Sequence, residues 1–393
     1  FMRVLYLTDS LSDLDGVGRY AVRLIRALQE ERPQLEARIL LARKHRPTSR
    51  DVDPRWPVQV ALPPDYFFHM SAPKFWASLA AASWRVFAAA RGCDLVHAIK
   101  DYPHSLAGLI GARMAGVPCI ATGHGTYTVQ PLVDPRHAER ARWCYRRFAS
   151  LIAVSRFTAR RVTEIVGEGD EIARKLAVVP NAVDAAHFAQ RVELGRKPWH
   201  EHPFTLAIGE LKERKGHHLS LAAWLRCAAT RPQLHHYVIG KGSDDAYHRS
   251  LVELVRASGL QTRVHFLGNV DEREKLDLLQ RAQAFVHTPV RSSDGGFEGF
   301  GLVYLEASAA GVPCLGTLGC GAEDAIEHER TGLLVEPQPA AVEQALARLL
   351  DSAELRARLG AGGRVHAQAS SWRANARAVL ALYDAARAAA GKS

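Results

Sequence analysis

The sequence predicts an α/β protein made of two doubly wound parallel sheets. Three observations carry this. Short apolar runs alternate with helical patterns along almost the whole chain, which is the grammar of βαβ units. A five-residue segment occurs twice, Ala115-Gly116-Val117-Pro118-Cys119 and Ala310-Gly311-Val312-Pro313-Cys314, each time after a helix and before a strand ending in threonine, Thr122 or Thr317. At 393 residues, 47% of them hydrophobic, the chain can fill two cores. The expected division is 1–190, 191–370 and a last helix, 371–393, that packs back on the first domain. Ligands in such sheets bind at the carboxyl ends of the strands, so the expected site is the cleft between two facing domains.

Residues 2–8 (MRVLYLT) read as a buried strand. The polar loop from Asp9 to Gly18 follows, and a helix begins at Arg19 with Tyr20, Leu24, Ala27 and Leu28 at helical spacing. Gly16-x-Gly18 lacks the third glycine of a dinucleotide fingerprint. Asp13 and Asp15 have the spacing of a metal-binding pair, but loop and helix-start chemistry is the preferred reading. Strands follow at 36–42 and 57–62. Residues 73–90 (PKFWASLAAASWRVFAAA) form an amphipathic helix carrying Phe75, Trp76, Leu79, Trp84 and Phe87. A core-facing helix is the first reading. A membrane-surface or lipid-acceptor helix, with tryptophans beside Lys74 and Arg85, is the second.

Residues 94–98 are the next strand, and a helix over 105–115 is stopped by Gly116 and Pro118. A strand at 119–122 leads into His124. Arg140, Arg142, Arg146 and Arg147 crowd the following helix, as a solvated face or as a patch for an anionic acceptor or lipid. Residues 151–155 are a strand whose Ser155 caps the next helix. Residues 178–184 close the first half, and the polar stretch 190–203 suits a linker. Strands then recur at 204–209, 236–240, 264–268, 284–287, 314–317 and 332–335.

The stretch from Gly295 to Ala307 (GGFEGFGLVYLEA) organises the second half. Its glycines form a turn that opens a helix, and free N–H groups at a helix start make an anion site. Glu298 and Glu306 flank that site. A carboxylate repels phosphate, so these two are expected to accept hydrogen bonds from hydroxyls. Amides for phosphate and carboxylates for hydroxyls together suggest a sugar nucleotide.

Composition sets limits. No run of eighteen apolar residues occurs, so no membrane-spanning helix is expected. The first residues do not read as a signal peptide, Met2 reads as the natural start, and a cytoplasmic location is expected. Six scattered cysteines without a C-x-x-C pair read as reduced, buried thiols, and no metal cluster is visible. The net charge of +10 favours anionic partners in general, but no nucleic-acid reader motif accompanies it.

These residues add up to a resemblance. The chain resembles the retaining glycosyltransferases of family four, which have the GT-B fold of two Rossmann-like domains. The likeness runs in order through DLVHA, AGVPCIATGHG, LIAVS, VVPNAVD, AIGELKERKG, VIGKGS, VHFLGNV, EGFGLVYLEASAAGVPCLGT and GLLVEP. Its most specific element is the pair Glu298 and Glu306, separated by seven residues. The resemblance implies that Lys215 neutralises the donor diphosphate and that Glu298 holds donor-sugar hydroxyls. It implies that the amides of Phe300, Gly301 and Leu302 cradle the diphosphate and that Glu306 binds the ribose. Gly16 and Gly18 match a loop that approaches donor or acceptor, and His124 matches a histidine near the reacting sugar. Glu210 stands where the family often has an arginine, which leaves Arg214 to supply that charge. Asp15 stands where a first glycine is common.

The implied reaction moves a sugar from a nucleoside diphosphate sugar to an acceptor hydroxyl with retention and without a cofactor or metal. The acceptor is expected to be a glycan, a lipid-linked sugar or a small molecule, at or near the inner face of the membrane. Two other readings compete. One is a nucleotide-sugar epimerase of similar shape. The other is a sugar-nucleotide binding scaffold with degenerate catalysis, which Glu210 and Asp15 keep open.

Overall fold

The structure is a computed structural model that describes residues 1–43 and 46–391. Its chain divides into two compact units, 1–181 with 372–393, and 182–371. In chain order the first unit runs β1 (Met2–Thr8), α1 (Gly16–Glu31), β2 (Leu35–Ala42), β3 (Val58–Leu62), α2 (Ala72–Ala90), β4 (Leu95–Ala98), α3 (His104–Ala115), β5 (Cys119–Gly123), α4 (Thr126–Val133), α5 (Ala138–Tyr145), β6 (Ser150–Ala153), α6 (Arg156–Val166), α7 (Glu171–Lys175) and β7 (Leu176–Val178). The second runs α8 (Ala185–Ala189), β8 (Phe204–Ile208), α9 (His217–Ala228), β9 (His235–Ile239), α10 (Ala246–Ala257), β10 (Val264–Gly268), α11 (Glu272–Arg281), β11 (Ala284–Val286), α12 (Leu302–Ala310), β12 (Cys314–Thr317), α13 (Ala322–Ala325), β13 (Gly332–Val335), α14 (Pro339–Asp351) and α15 (Ala353–Ala369). The last helix, α16 (Trp372–Ala390), belongs to the first unit.

Each unit is one parallel sheet, in the order β3-β2-β1-β4-β5-β6-β7 and β10-β9-β8-β11-β12-β13. Helices cover such sheets on both faces, which is why β1 and β8 are almost continuously apolar and buried. In the second unit the core gathers around Trp224, Leu221, Ala223 and Leu346. The repeated segment marks equivalent places in the two sheets. In both copies the valine amide bonds back into the helix, Val117 to the Ala112 carbonyl and Val312 to the Ala307 carbonyl, each at 3.0 Å. The proline carbonyl then accepts from the neighbouring strand, Val96 to Pro118 and Phe285 to Pro313, again each at 3.0 Å.

By contacts the chain divides after Asn181, since α8 packs on α12 of the second unit. One expectation is corrected: the stretch 190–203 is not free linker. Trp199 is buried and donates its indole N–H to Asp277 at 2.7 Å, and Lys197 pairs with Glu274 at 2.6 Å. All six cysteines are unpaired and buried.

The return of α16 is held by a buried polar chain. Tyr383 Oη lies 2.6 Å from His97 Nδ1 on β4, and His97 Nε2 lies 2.7 Å from Thr122 Oγ1 on β5. Asn375 donates to the Pro180 carbonyl at 2.7 Å, and Asp384 pairs with Arg32 at 2.7 Å. Burial keeps His97 neutral and pushes its pKa down to about 3.

Tyr383→Phe leaves a buried imidazole nitrogen without its partner and should cost about 1–3 kcal/mol. A drop in the thermal midpoint, with secondary structure unchanged, checks this. His97, His217 and His236 are depressed by burial to about 3, and His235, also mainly by burial, to about 4. A depressed histidine contributes stability above its unfolded value near 6.5, and that stability is lost as the pH falls toward the folded value. Urea midpoints should therefore fall steadily as the pH drops from about 6.5 to about 4.

Candidate functional site

The second sheet changes direction between β8 and β11, which pair directly. In a doubly wound sheet this is the place where the loops leave on opposite sides and open a crevice. The loop after β8 carries Glu210, Arg214 and Lys215, and the loop after β11 carries His287 and Glu298. The two loops are stitched together. Gly216 has φ +68°, and a Cβ there would come within 1.7 Å of the Thr288 carbonyl oxygen. Only glycine fits, which explains its place directly after Lys215. Thr288 Oγ1 donates to the Gly216 carbonyl at 2.9 Å, and the Val290 amide donates to the Arg214 carbonyl at 3.1 Å.

Lys215 and Glu298 meet as a buried ion pair through Nζ and Oε2. The same carboxylate oxygen lies 3.4 Å from His287 Nε2 and 3.9 Å from the Arg214 guanidinium. The Gly321 amide donates to the Glu298 carbonyl at 2.8 Å and fixes the backbone. Burial works to raise the Glu298 carboxyl. Lys215, the His287 hydrogen bond and Arg214 outweigh it and hold the carboxyl well below the usual range. Burial lowers the Lys215 ammonium from its usual value, against the pull of Glu298. His287 is fully buried and lowered by burial, so it is a neutral donor to the carboxylate. Glu210 pairs with Lys212 at 2.8 Å.

Phe300, Gly301 and Leu302 lead into α12. Gly301 is its cap at φ +85°, a left-handed turn that aims the first amides of the helix back at the loop. Glu306 sits one turn into α12 and is buried. Its Oε2 pairs with Lys275 of α11 at 2.7 Å, and Lys275 Nζ also lies 5.0 Å from the Phe188 ring centroid. Lys215, Arg214, Glu298 and the head of α12 thus form one site, with Glu306 along the same helix.

Gly16, Gly18 and His124 belong to the first unit. The helix expected from Arg19 starts earlier, at Gly16, because Asp15 is its cap and accepts from the Gly18 amide at 2.7 Å. Both glycines therefore lie in the first turn of α1 and not in the loop. Ser10 Oγ donates to the other Asp15 oxygen at 2.5 Å. At the end of β4, Lys100 pairs with Asp9 at 2.5 Å. Asp101 accepts from the His124 amide at 3.1 Å and from Thr128 Oγ1 at 2.6 Å. His124 Nε2 lies 2.8 Å from the Ile99 carbonyl, and burial lowers its pKa. The ring is therefore neutral with its proton on Nε2. Its edge meets Tyr20 at 4.9 Å between centroids.

Four site residues are absent from the sequence reading: His287, Lys275, Lys100 and Asp101. The signal for three of them was position. His287, Lys100 and Asp101 directly follow apolar runs that end in a site loop. Lys275 gave no local signal, because its partner lies on another helix.

Comparisons with known proteins agree with this architecture. Residues 14–187 match the family model described as Glycosyltransferase Family 4, and residues 190–366 match Glycosyl transferases group 1. The glycogen synthase of Mycobacterium tuberculosis is 29% identical over 303 residues, covering 75% of this chain and 69% of that protein. The GDP-mannose-dependent monoacylated alpha-(1-6)-phosphatidylinositol monomannoside mannosyltransferase of Corynebacterium glutamicum is 31% identical over 235 residues, 56% of this chain and 58% of that protein. The Anabaena protein HepE, solved with UDP and glucose, superposes with a TM-score of 0.75 at 18% identity over 97% of this chain and 99% of that one. Two family models in tandem span nearly the whole chain, which has the GT-B fold, belongs to the group 1 glycosyltransferases with a family-four N-terminal half, and is a transferase enzyme.

Proposed function

We propose that the protein transfers a glycosyl group from a nucleoside diphosphate sugar to an acceptor hydroxyl with retention at the anomeric carbon, in the synthesis of a bacterial glycan, polysaccharide or glycolipid. One observation carries the reading: two basic side chains and the amide end of α12 converge on Glu298. The bond from the anomeric carbon to the diphosphate oxygen breaks, and a bond to the acceptor oxygen forms. The acceptor proton passes to the leaving diphosphate. The catalytic demand is the growing charge on that diphosphate, and preoriented cations and amides answer it.

In this reading Lys215 and Arg214 take the diphosphate with the amides of Phe300, Gly301 and Leu302, so no metal ion is required. Glu298 holds the sugar hydroxyls and Glu306 the ribose. Gly16, Gly18 and the neutral His124 serve the reacting sugar and the acceptor. The bound UDP of the Anabaena structure supports a nucleotide donor. The acceptor is a glycan, a lipid-linked sugar or a small molecule, and an anionic membrane surface joins the partners proposed.

A thermal-shift screen against UDP-, GDP- and ADP-sugars tests the donor, since a ligand that binds the folded state raises stability by mass action. No shift with any of the three would sink the reading. Glu298→Gln and Lys215→Met should each remove most transfer. Each strands a buried charge, at a cost of about 3–5 kcal/mol. The double variant should recover part of that stability and stay inactive, which separates a catalytic loss from a folding loss. Transfer that survives a chelator supports the metal-free assignment.

Glu306→Gln should weaken donor binding by about 1–3 kcal/mol through lost hydroxyl bonds, and because it strands the buried Lys275 ammonium it should also lower the thermal midpoint. Calorimetric titration with the nucleoside diphosphate checks this, and unchanged affinity would remove Glu306 from the ribose.

A further inference from the structure

The surface of the first unit is unlike that of the second. Lys and Arg outnumber Asp and Glu by 30 to 18 in the first unit, and fall short of them by 21 to 23 in the second. The net charge of +10 therefore belongs wholly to the first unit. The strongly exposed aromatic side chains collect there as well, with Trp84 62% exposed, Trp76 51%, Tyr66 47% and Trp143 38%.

Helix α2 shows why. Its inner face, Phe75, Leu79, Ala82, Val86 and Ala90, is buried against α3. A Cβ on Gly111 of α3 would come within 2.5 Å of Val86 Cβ, so the two backbones approach closely. The outer face follows the same helical period through Pro73, Trp76, Ala77, Ala80, Ala81, Trp84 and Ala88, and it carries no charge. A helix that is apolar all round is ordinarily covered on all sides. Here the outer stripe stands in solvent. Cations rim it. Lys74 and Arg85 are the only charged residues of the helix. The Arg140 guanidinium lies over Trp76 at 5.1 Å. Beside the stripe runs a groove of about 420 Å³ lined by Ala77, Ser78 and Ala81 of the helix, with Tyr66, Arg43 and Arg85 on its walls.

We infer that this face seats on the surface of an anionic lipid bilayer, with α2 lying in the interface plane. Its tryptophans and alanines enter the headgroup boundary, where tryptophan and tyrosine are favoured. The surrounding arginines face the lipid phosphates, each worth roughly a fivefold gain in partitioning near such a surface. Among the described residues no helix is long and apolar enough to cross a membrane, so the contact is a docking on the surface. The uncharged stripe argues against nucleic acid, which rewards a continuous basic face. The basic rim argues against a second copy of the same face, since two such rims would repel. The inference extends the membrane partner named in the proposed function and needs no donor or acceptor chemistry.

The test is sedimentation of the whole protein with vesicles of phosphatidylcholine, with and without phosphatidylglycerol, at low and high salt. Tryptophan emission is followed in parallel. Binding to the phosphatidylglycerol vesicles, with a blue shift and release by salt, is expected. Trp76→Ala with Trp84→Ala should weaken it at least tenfold and remove most of the shift, with the melting curve unchanged. Arg43→Glu with Lys74→Glu, two exposed rim positions, should weaken it by more than tenfold through the charge. No sedimentation with either vesicle at low salt would overturn the inference. So would binding that the tryptophan pair leaves intact, or a dimer in light scattering that this pair dissolves. Donor thermal shifts, measured on the same variants, report the transferase reading separately.

Discussion

The site depends on one buried ion pair, Lys215 with Glu298. Two charges taken out of water lose hydration that their attraction only partly returns, so such a pair is weak evidence for stability. Here its surroundings shift the balance. His287 and Arg214 face the same carboxylate oxygen, and the Gly321 amide holds the backbone behind it. One carboxylate thus faces an ammonium and a guanidinium, which leaves about one positive charge at the head of α12, where the helix adds its own dipole. The arrangement is an anion site kept occupied internally by a side chain. In the function proposed above, a diphosphate that enters finds these cations already oriented, and the glutamate is released toward hydroxyls.

The fold makes this possible by where it puts loops. β8 and β11 are neighbours in the sheet but are separated by two βα units in sequence. Their carboxyl-terminal loops therefore reach one place from distant parts of the chain. Gly216 allows them to touch, since a larger residue would strike the Thr288 carbonyl. In the first unit the same logic brings Asp9 and Asp15 from the end of β1 beside Lys100 and Asp101 from the end of β4, with His124 following β5. The repeated Ala-Gly-Val-Pro-Cys segment enters the corresponding strand in each sheet, β5 and β12, one place beyond the reversal. It is a structural joint used twice.

What could be read in advance follows a physical line. Strands with two buried faces are apolar runs, so most strands were legible to within a residue or two. Helix stops at glycine and proline were equally plain. Helix starts were less so. Helix-start chemistry was legible at Asp13 and Asp15, but not the register: Asp15 is the cap, which puts Gly16 and Gly18 in the helix. The packing of the polar stretch near 190 was not legible because it lacks apolar periodicity, yet it packs through α8 and the buried Trp199. Among site residues, those in a compact glycine-rich segment were visible. Lys275 was not, because an exposed-looking lysine on a charged helix declares its burial only when a second helix brings Glu306 against it.

That hidden lysine resolves a difficulty in the site itself. Two glutamates beside the helix end proposed to bind phosphate should repel the ligand. Each is matched by its own lysine, Lys215 for Glu298 and Lys275 for Glu306, and each pair is buried. The glutamates keep their hydrogen-bonding oxygens while contributing little net negative charge to the surroundings. Net charge over a whole chain would not reveal this. The second unit carries a slight acidic excess and still presents a locally positive site, while the basic excess of the chain lies on the other unit, far in sequence from the lysine and arginine that face Glu298. Coulomb energy falls with distance and salt screening within about 10 Å. The few side chains around Glu298 and Glu306 therefore decide what the site attracts, and the basic excess of the first unit is the part of the charge that the inferred bilayer contact would use.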